Sequence, residues 1–205
     1  MSAVPYSSTP LSSGWKFTEG HRNSPDPVYL PANDVPTEVY RDLLKNGKIA
    51  DPFKDLNELS VSWVGDRTWT YRTTFAAPAD HDKPGVNTTL RCEGLDTFAT
   101  VYLNNTLLFN SDNIFVEYLA DLSGKLKKKD NKLEIVFEPA RMKDLTIIED
   151  QKKQSQLSGQ RAYQFIVHQT DISRGPVRKA QYHWGWDWGP ILMTCGPWKP
   201  MTIET

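Results

Sequence analysis

From residue 68 onward the chain alternates large apolar and polar residues in short runs separated by turn-forming residues, the pattern of antiparallel strands. Residues 68–75 put Trp69, Tyr71 and Thr73 on one side and Thr70, Arg72 and Thr74 on the other, and Ala76-Ala77-Pro78 ends the run. Residues 90–93 and 98–103 follow. The second leads into Asn104-Asn105, a pair suited to a tight hairpin, with 107–109 as the return strand. A basic turn over 125–132 precedes a strand over 132–137, in which Leu133, Ile135 and Phe137 share a face. Upstream, residues 14–17 read as a first short strand with Trp15 and Phe17 on one face, and Pro25, Pro27, Pro31 and Pro36 break the next stretch into a loop. The period changes once: Val39 with Leu43 and Tyr40 with Leu44 are spaced i, i+4 between Thr37, a capping residue, and Gly47, which suits a helix end. One short amphipathic helix is predicted there, and Asp51-Pro52-Phe53 forms the turn after it.

Short strands at this spacing predict an all-β fold, a jelly-roll β-sandwich with one or two short helices, over residues 14–205. Residues 1–13, rich in Ser, Pro and Thr, read as a flexible arm. Residues 139–178 are a long excursion from the sandwich, because 144–160 is polar and lacks a clean period; a short helix fits there, and long structured loops are often functional. No internal repeat is visible.

The length of 205 residues suits one domain with a real core and falls short of a barrel enzyme, whose barrel alone takes about 250 residues. Lys+Arg number 24 against 25 Asp+Glu, so the electrostatic footprint of phosphate-backbone binding is missing and nucleic acid is not an expected partner. No run is apolar enough to span a bilayer, so no membrane association is expected. The N-terminus lacks the basic start and apolar run of a secretory signal, which favours a cytoplasmic location and, with it, buried thiols rather than a bridge for Cys92 and Cys195. The sequons at Asn87 and Asn104 matter only in an exported chain.

Aromatic surface is bunched near the end: four of the seven tryptophans fall in the last 22 residues. In a regular strand Trp184, Trp186 and Trp188 would line one face, with His183, Gly185, Asp187 and Gly189 on the other. The two glycines leave open space beside Asp187. Sugars are recognised by such a pairing, their C–H faces lying on an aromatic ring and their hydroxyls donating to a carboxylate. The competing reading makes the tryptophans sandwich core and Asp187 a turn or cap residue. For Trp184 and Trp188 the core reading leads. For Trp186 with Asp187 the binding reading leads, on the condition that the glycines bend the strand so that both serve one ligand. His183 has no second ligand at metal spacing, with only His168 and Asp171 upstream, and no Gly-rich phosphate loop or nucleophile elbow is present, so neither metal nor cofactor is expected. Lys127-Lys128-Lys129 is read as a solvated turn.

The run Arg178-Lys-Ala-Gln-Tyr-His-Trp-Gly-Trp-Asp-Trp-Gly-Pro190, with Gly196-Pro197-Trp198-Lys199-Pro200, closely resembles a signature of family 2 β-mannosidases. Asp51-Pro52-Phe53, Asn57-Glu58-Leu59, Trp63-Val64-Gly65, Trp69-Thr70-Tyr71-Arg72, the run from Gly94 to Asn104 and Ser111-Asp112-Asn113-Ile114-Phe115 follow the same family's order. The resemblance covers residues from about 14 to 205. It implies a galactose-binding-like jelly roll that packs against a catalytic barrel, with Trp186 and Asp187 contacting the sugar whose bond is cut. It also implies that this chain carries no catalytic residue. Retaining glycosidases use two carboxyl groups about 5 Å apart, which in this family lie on the barrel, and no Glu here stands in a matching context. The expected role is an accessory substrate-pocket domain of a retaining β-mannosidase acting on terminal β-mannose of oligosaccharides, inactive alone and partnered by the barrel. A free-standing carbohydrate-binding module and an inactive structural remnant are the alternatives.

Overall fold

Two antiparallel sheets face each other in the computed structural model, which describes residues 7–158, 175 and 177–205. In chain order the strands are β1 (Ser8–Pro10), β2 (Lys16–Glu19), β3 (Leu30–Pro31), β4 (Trp69–Phe75), β5 (Thr89–Cys92), β6 (Ala99–Leu103), β7 (Thr106–Ser111), β8 (Tyr118–Asp121), β9 (Asn131–Phe137) and β10 (Met201–Glu204). One sheet has the order β1-β10-β5-β8 and the other β3-β2-β4-β9-β6-β7. The chain's last strand thus inserts between its first strand and β5, closing the sandwich with residues far apart in sequence.

The alternation seen in the sequence sets the inner faces. Trp69, Tyr71 and Thr73 of β4, Leu133, Ile135 and Phe137 of β9, and Ala99, Val101 and Leu103 of β6 are buried against Leu90 and Cys92 of β5 and Met201 and Ile203 of β10. Phe17 stacks on Tyr71 at 5.6 Å between ring centroids, and Phe137 meets Tyr71 edge-on at 5.7 Å, arrangements that aromatic rings favour. Asn104 and Asn105 take φ of 49° and 71°, as a two-residue hairpin turn between β6 and β7 requires. Cys92 and Cys195 are both buried free thiols.

Three expectations change. The arm does not hold for residues 7–13: β1 pairs with β10, and Ser7 and Thr205 exchange two backbone hydrogen bonds of 2.9 Å. Every side chain of β1 is exposed, so backbone pairing alone makes the strand and no sequence pattern marks it. The predicted helix forms as α1 (Val39–Lys45), but Glu38 caps it by accepting from Tyr40 N and Arg41 N, while the Thr37 hydroxyl donates to Asp42 Oδ1 at 2.9 Å. Asn57–Ser60 forms the single turn α2, followed by a 3₁₀ turn over Ser62–Asp66. The polar stretch after β9 holds a helix longer than the short one expected: α3 spans Ala140–Ser158, and its Arg141 reaches Asp66 at 3.9 Å.

Candidate functional site

The aromatic run is bent, not a regular strand. Residues Gln181–Trp184 form a 3₁₀ turn, and Gly185 leaves it with φ of 71°. Trp186 and Gly189 then pair, with Trp186 N–H donating to Gly189 O at 3.1 Å and Gly189 N–H to Trp186 O at 3.3 Å, so Asp187 and Trp188 form the tip of a tight turn. Gly185 is demanded twice: its φ disfavours any side chain, and a Cβ there would lie 2.8 Å from Ile191 Cγ1 and 3.0 Å from Gly189 O. Open space was expected at both glycines. It exists at Gly189, where a Cβ would meet nothing within 4 Å, and not at Gly185.

The bend separates the three indoles. Trp184 is fully buried with Val177 and Met193 in a small second core, as its core reading requires. Trp188, for which the core reading also led, is instead 81% exposed, and Trp186 is 51% exposed. Asp187 is exposed at the tip between them, not sealed in the sandwich interior. The turn faces a cleft of ≈ 360 Å³ whose other wall is Pro52, Phe53, Asp55 and Glu58. Phe53 is 78% exposed. A second cleft of ≈ 300 Å³ shares Glu58, Gly189 and Pro190 with the first and extends to Leu59, Ser62, Arg141 and Ile191. The fold therefore brings Phe53, Asp55 and Glu58 to Trp186 and Asp187. In the sequence Phe53 and Glu58 stand only within motif runs and Asp55 in none, with no reason to join them to the turn; backbone topology makes that link.

Beneath the turn lies a buried polar cluster that the sequence did not reveal. Lys179 Nζ, fully buried, pairs with Asp96 Oδ1 and donates to Thr194 O at 2.8 Å. Asp96 Oδ2 accepts from Thr194 Oγ1 at 2.6 Å, and that hydroxyl lies 3.1 Å from His183 Nε2. Burial first, and the Lys179 charge second, push the His183 imidazole down to about 4. His183 is thus neutral near pH 7, with its Nδ1 buried and unpartnered. Among the described residues no group of three or more His, Cys, Asp or Glu stands close enough to hold a metal ion, and no helix is long and apolar enough to cross a membrane. His168 and Asp171 lie outside the described residues.

A closed two-sheet sandwich that presents an acid between indoles at one end has the architecture of a galactose-binding-like domain. The chain belongs to the glycosyl hydrolase 2 galactose-binding domain-like family, which it matches over residues 15–199, and it is the N-terminal domain of that family. It is 43% identical over 195 residues to beta-mannosidase B of Thermothelomyces thermophilus, covering 95% of this chain and 21% of that protein. With beta-mannosidase B of Aspergillus oryzae the identity is 39% over 200 residues, covering 97% and 22%. The crystal structure of a β-D-mannosidase from Dictyoglomus thermophilum superposes with a TM-score of 0.76 at 30% identity, over 96% of this chain and 22% of that one. An exo-chitosanase from Amycolatopsis orientalis, at 23% identity and a TM-score of 0.52 over 65% of this chain and 17% of that one, shares the fold. The chain spans about a fifth of the length of the curated relatives it matches.

Proposed function

We propose that this chain is the accessory domain of a retaining β-mannosidase, supplying one wall of the pocket that holds the terminal β-linked mannose of an oligosaccharide. The observation that carries the reading is the Trp186–Gly189 turn, which presents an exposed carboxylate between two exposed indoles over a cleft. An ionised carboxylate accepts two sugar hydroxyls, and an indole covers a pyranose C–H face. The likeness to beta-mannosidase B proteins supplies the substrate class. The barrel would cover the exposed apolar rim formed by Phe53, Leu59, Trp188 and Ile191 and would contribute both catalytic carboxyl groups. Alone, the chain is inactive.

The test is kinetic, in a polypeptide that joins this chain to a family 2 barrel. Asp187→Ala removes a charge-assisted hydrogen bond, a loss of about 1.5–3 kcal/mol, or roughly 10- to 150-fold in kcat/KM on a β-mannoside. Trp186→Ala lowers it as well. Unchanged kcat/KM in both variants overturns the reading, and saturable mannose binding by the chain alone favours a free-standing module instead.

A further inference from the structure

We propose that Lys179 and Asp96, acting through Thr194 and His183, are positioning residues that hold the Trp186–Gly189 turn in its orientation over the cleft. The turn is the tip of a loop whose limbs are residues 178–185 and 190–196, and the cluster ties both limbs to each other and to the sandwich. Lys179 and His183 stand on the first limb and Thr194 on the second, while Asp96 belongs to the connection between β5 and β6. Asp96 is itself anchored: its N–H donates to Gly196 O and Gly196 N–H donates to its carbonyl, both at 3.0 Å, and the Thr97 hydroxyl donates to its carboxylate. Arg178 O, at the base of the first limb, accepts from Ile114 N at 2.9 Å.

Proton counting gives the cluster one arrangement. The single Thr194 hydroxyl proton goes to Asp96 Oδ2, so the Thr194 oxygen accepts from Lys179 Nζ at 3.3 Å and from His183 Nε2–H at 3.1 Å. The imidazole is therefore the Nε2–H tautomer, and the unpartnered Nδ1 is a bare acceptor, the less costly atom to leave buried. His183 lies two residues before Gly185, where the chain turns outward, so fixing its ring fixes the direction in which Trp186 and Asp187 leave the sandwich. A buried ion pair is a poor source of net stability compared with an apolar substitute, whereas it specifies one arrangement among several. Beside the cluster, Trp184 anchors the first limb just before Gly185, and the cluster adds the tie between that limb and the second.

The inference rests on the proposed pocket for its functional meaning, and the turn's order is measurable without any sugar. Thr194→Val removes the hydroxyl that joins Asp96 to His183 and leaves the Lys179–Thr194 carbonyl bond and the ion pair in place, Thr194→Ser keeps the hydroxyl, and Lys179→Met is the severe variant that also loses the bond to the second limb's carbonyl. In the 205-residue chain, amide hydrogen exchange over residues 181–190 should rise about tenfold or more in Thr194→Val. The indole resonances of Trp186 and Trp188 should broaden while those of Trp15 and Trp69 stay unchanged, and Thr194→Ser should behave as the parent. Unchanged exchange at the turn in both Thr194→Val and Lys179→Met, or equal loss of order at all the indoles, overturns the proposal. In the barrel-bearing polypeptide Thr194→Val should lower kcat/KM and Thr194→Ser should not. If Asp187→Ala and Trp186→Ala both leave kcat/KM unchanged there, the pocket reading fails, and the exchange data still decide whether the cluster orients the turn.

Discussion

His183 shows how one side chain couples the site to pH. Its ring meets Tyr182 edge-on at 4.6 Å between centroids and lies by Thr194, with Lys179 and Asp96 as the charges facing it. Burial and then Lys179 depress its folded-state value to about 4 from an ordinary 6.5. Between those values the unfolded chain binds a proton that the folded chain refuses, so stability contributed here is complete above pH 6.5 and falls as pH drops toward 4. The full shift corresponds to about 3 kcal/mol. His183→Gln should flatten this part of the pH–stability profile, measured by urea titration at pH 7.5, 5.5 and 4.5, and a variant profile parallel to the parent's would refute the assignment. Residues of this kind explain what a sequence withholds. The exposure of Asp187 at a bend was legible because glycines flank it, and Trp184 was legible as core. Trp188 was not, because strand alternation was assumed where the positive φ of Gly185 breaks it. Asp96 was not legible either: nothing in a string of letters says that it will meet Lys179.

At the scale of elements, α1 is the clearest case of tertiary support. Seven residues are too few for a stable helix in water, since the nucleation cost is not recovered over so short a run. The helix is held by Asp42, whose fully buried carboxylate accepts from Asn33 N and Asn33 Nδ2 at 2.7 Å, from Thr37 Oγ1 at 2.9 Å and from Tyr71 Oη at 2.7 Å. Burial, and then the neighbouring Asp42 charge, raise Tyr71 well above its ordinary value, so its phenol stays a donor. Asp42→Ala strands several buried donors at once and should cost about 3 kcal/mol or more, with Tyr71→Phe costing about 1–3 kcal/mol. A double-mutant cycle by chemical denaturation checks this, and a coupling near zero would show that the tie holds nothing. The apolar i, i+4 spacing announced α1; the acid that fixes it gave no such signal. The same division holds among strands. β4, β6 and β9 were readable because long alternating runs of large residues feed the core. β8 and β10 are four residues each, and β8 buries only Ala120 well, so their patterns are too brief to stand out.

The whole molecule has two kinds of surface. Charge is balanced, at -1 overall, so neither long-range attraction nor strong repulsion governs encounters between copies. At one end, however, Phe53, Leu59, Trp186, Trp188 and Ile191 are exposed around the two adjoining clefts, a concentration that a self-sufficient monomer rarely leaves in water. In the proposed assembly a barrel covers this end, and among the described residues these side chains stay exposed. Without strong charge to oppose contact, the isolated domain should self-associate through this end, in a manner strengthened by sulfate and weakened by low concentrations of urea. Replacing Phe53 and Trp188 together by Ser removes two of the most exposed apolar side chains and touches none of the sandwich core. The double variant should sediment as a monomer at concentrations where the parent shows heavier species, with its denaturation midpoint unchanged. If the parent is itself monomeric across that range, the apolar end is adequately solvated as it stands and needs no covering domain. If instead both proteins associate equally, contact between copies runs through some other face, and the clefts beside Asp187 are open to ligand even in the associated form.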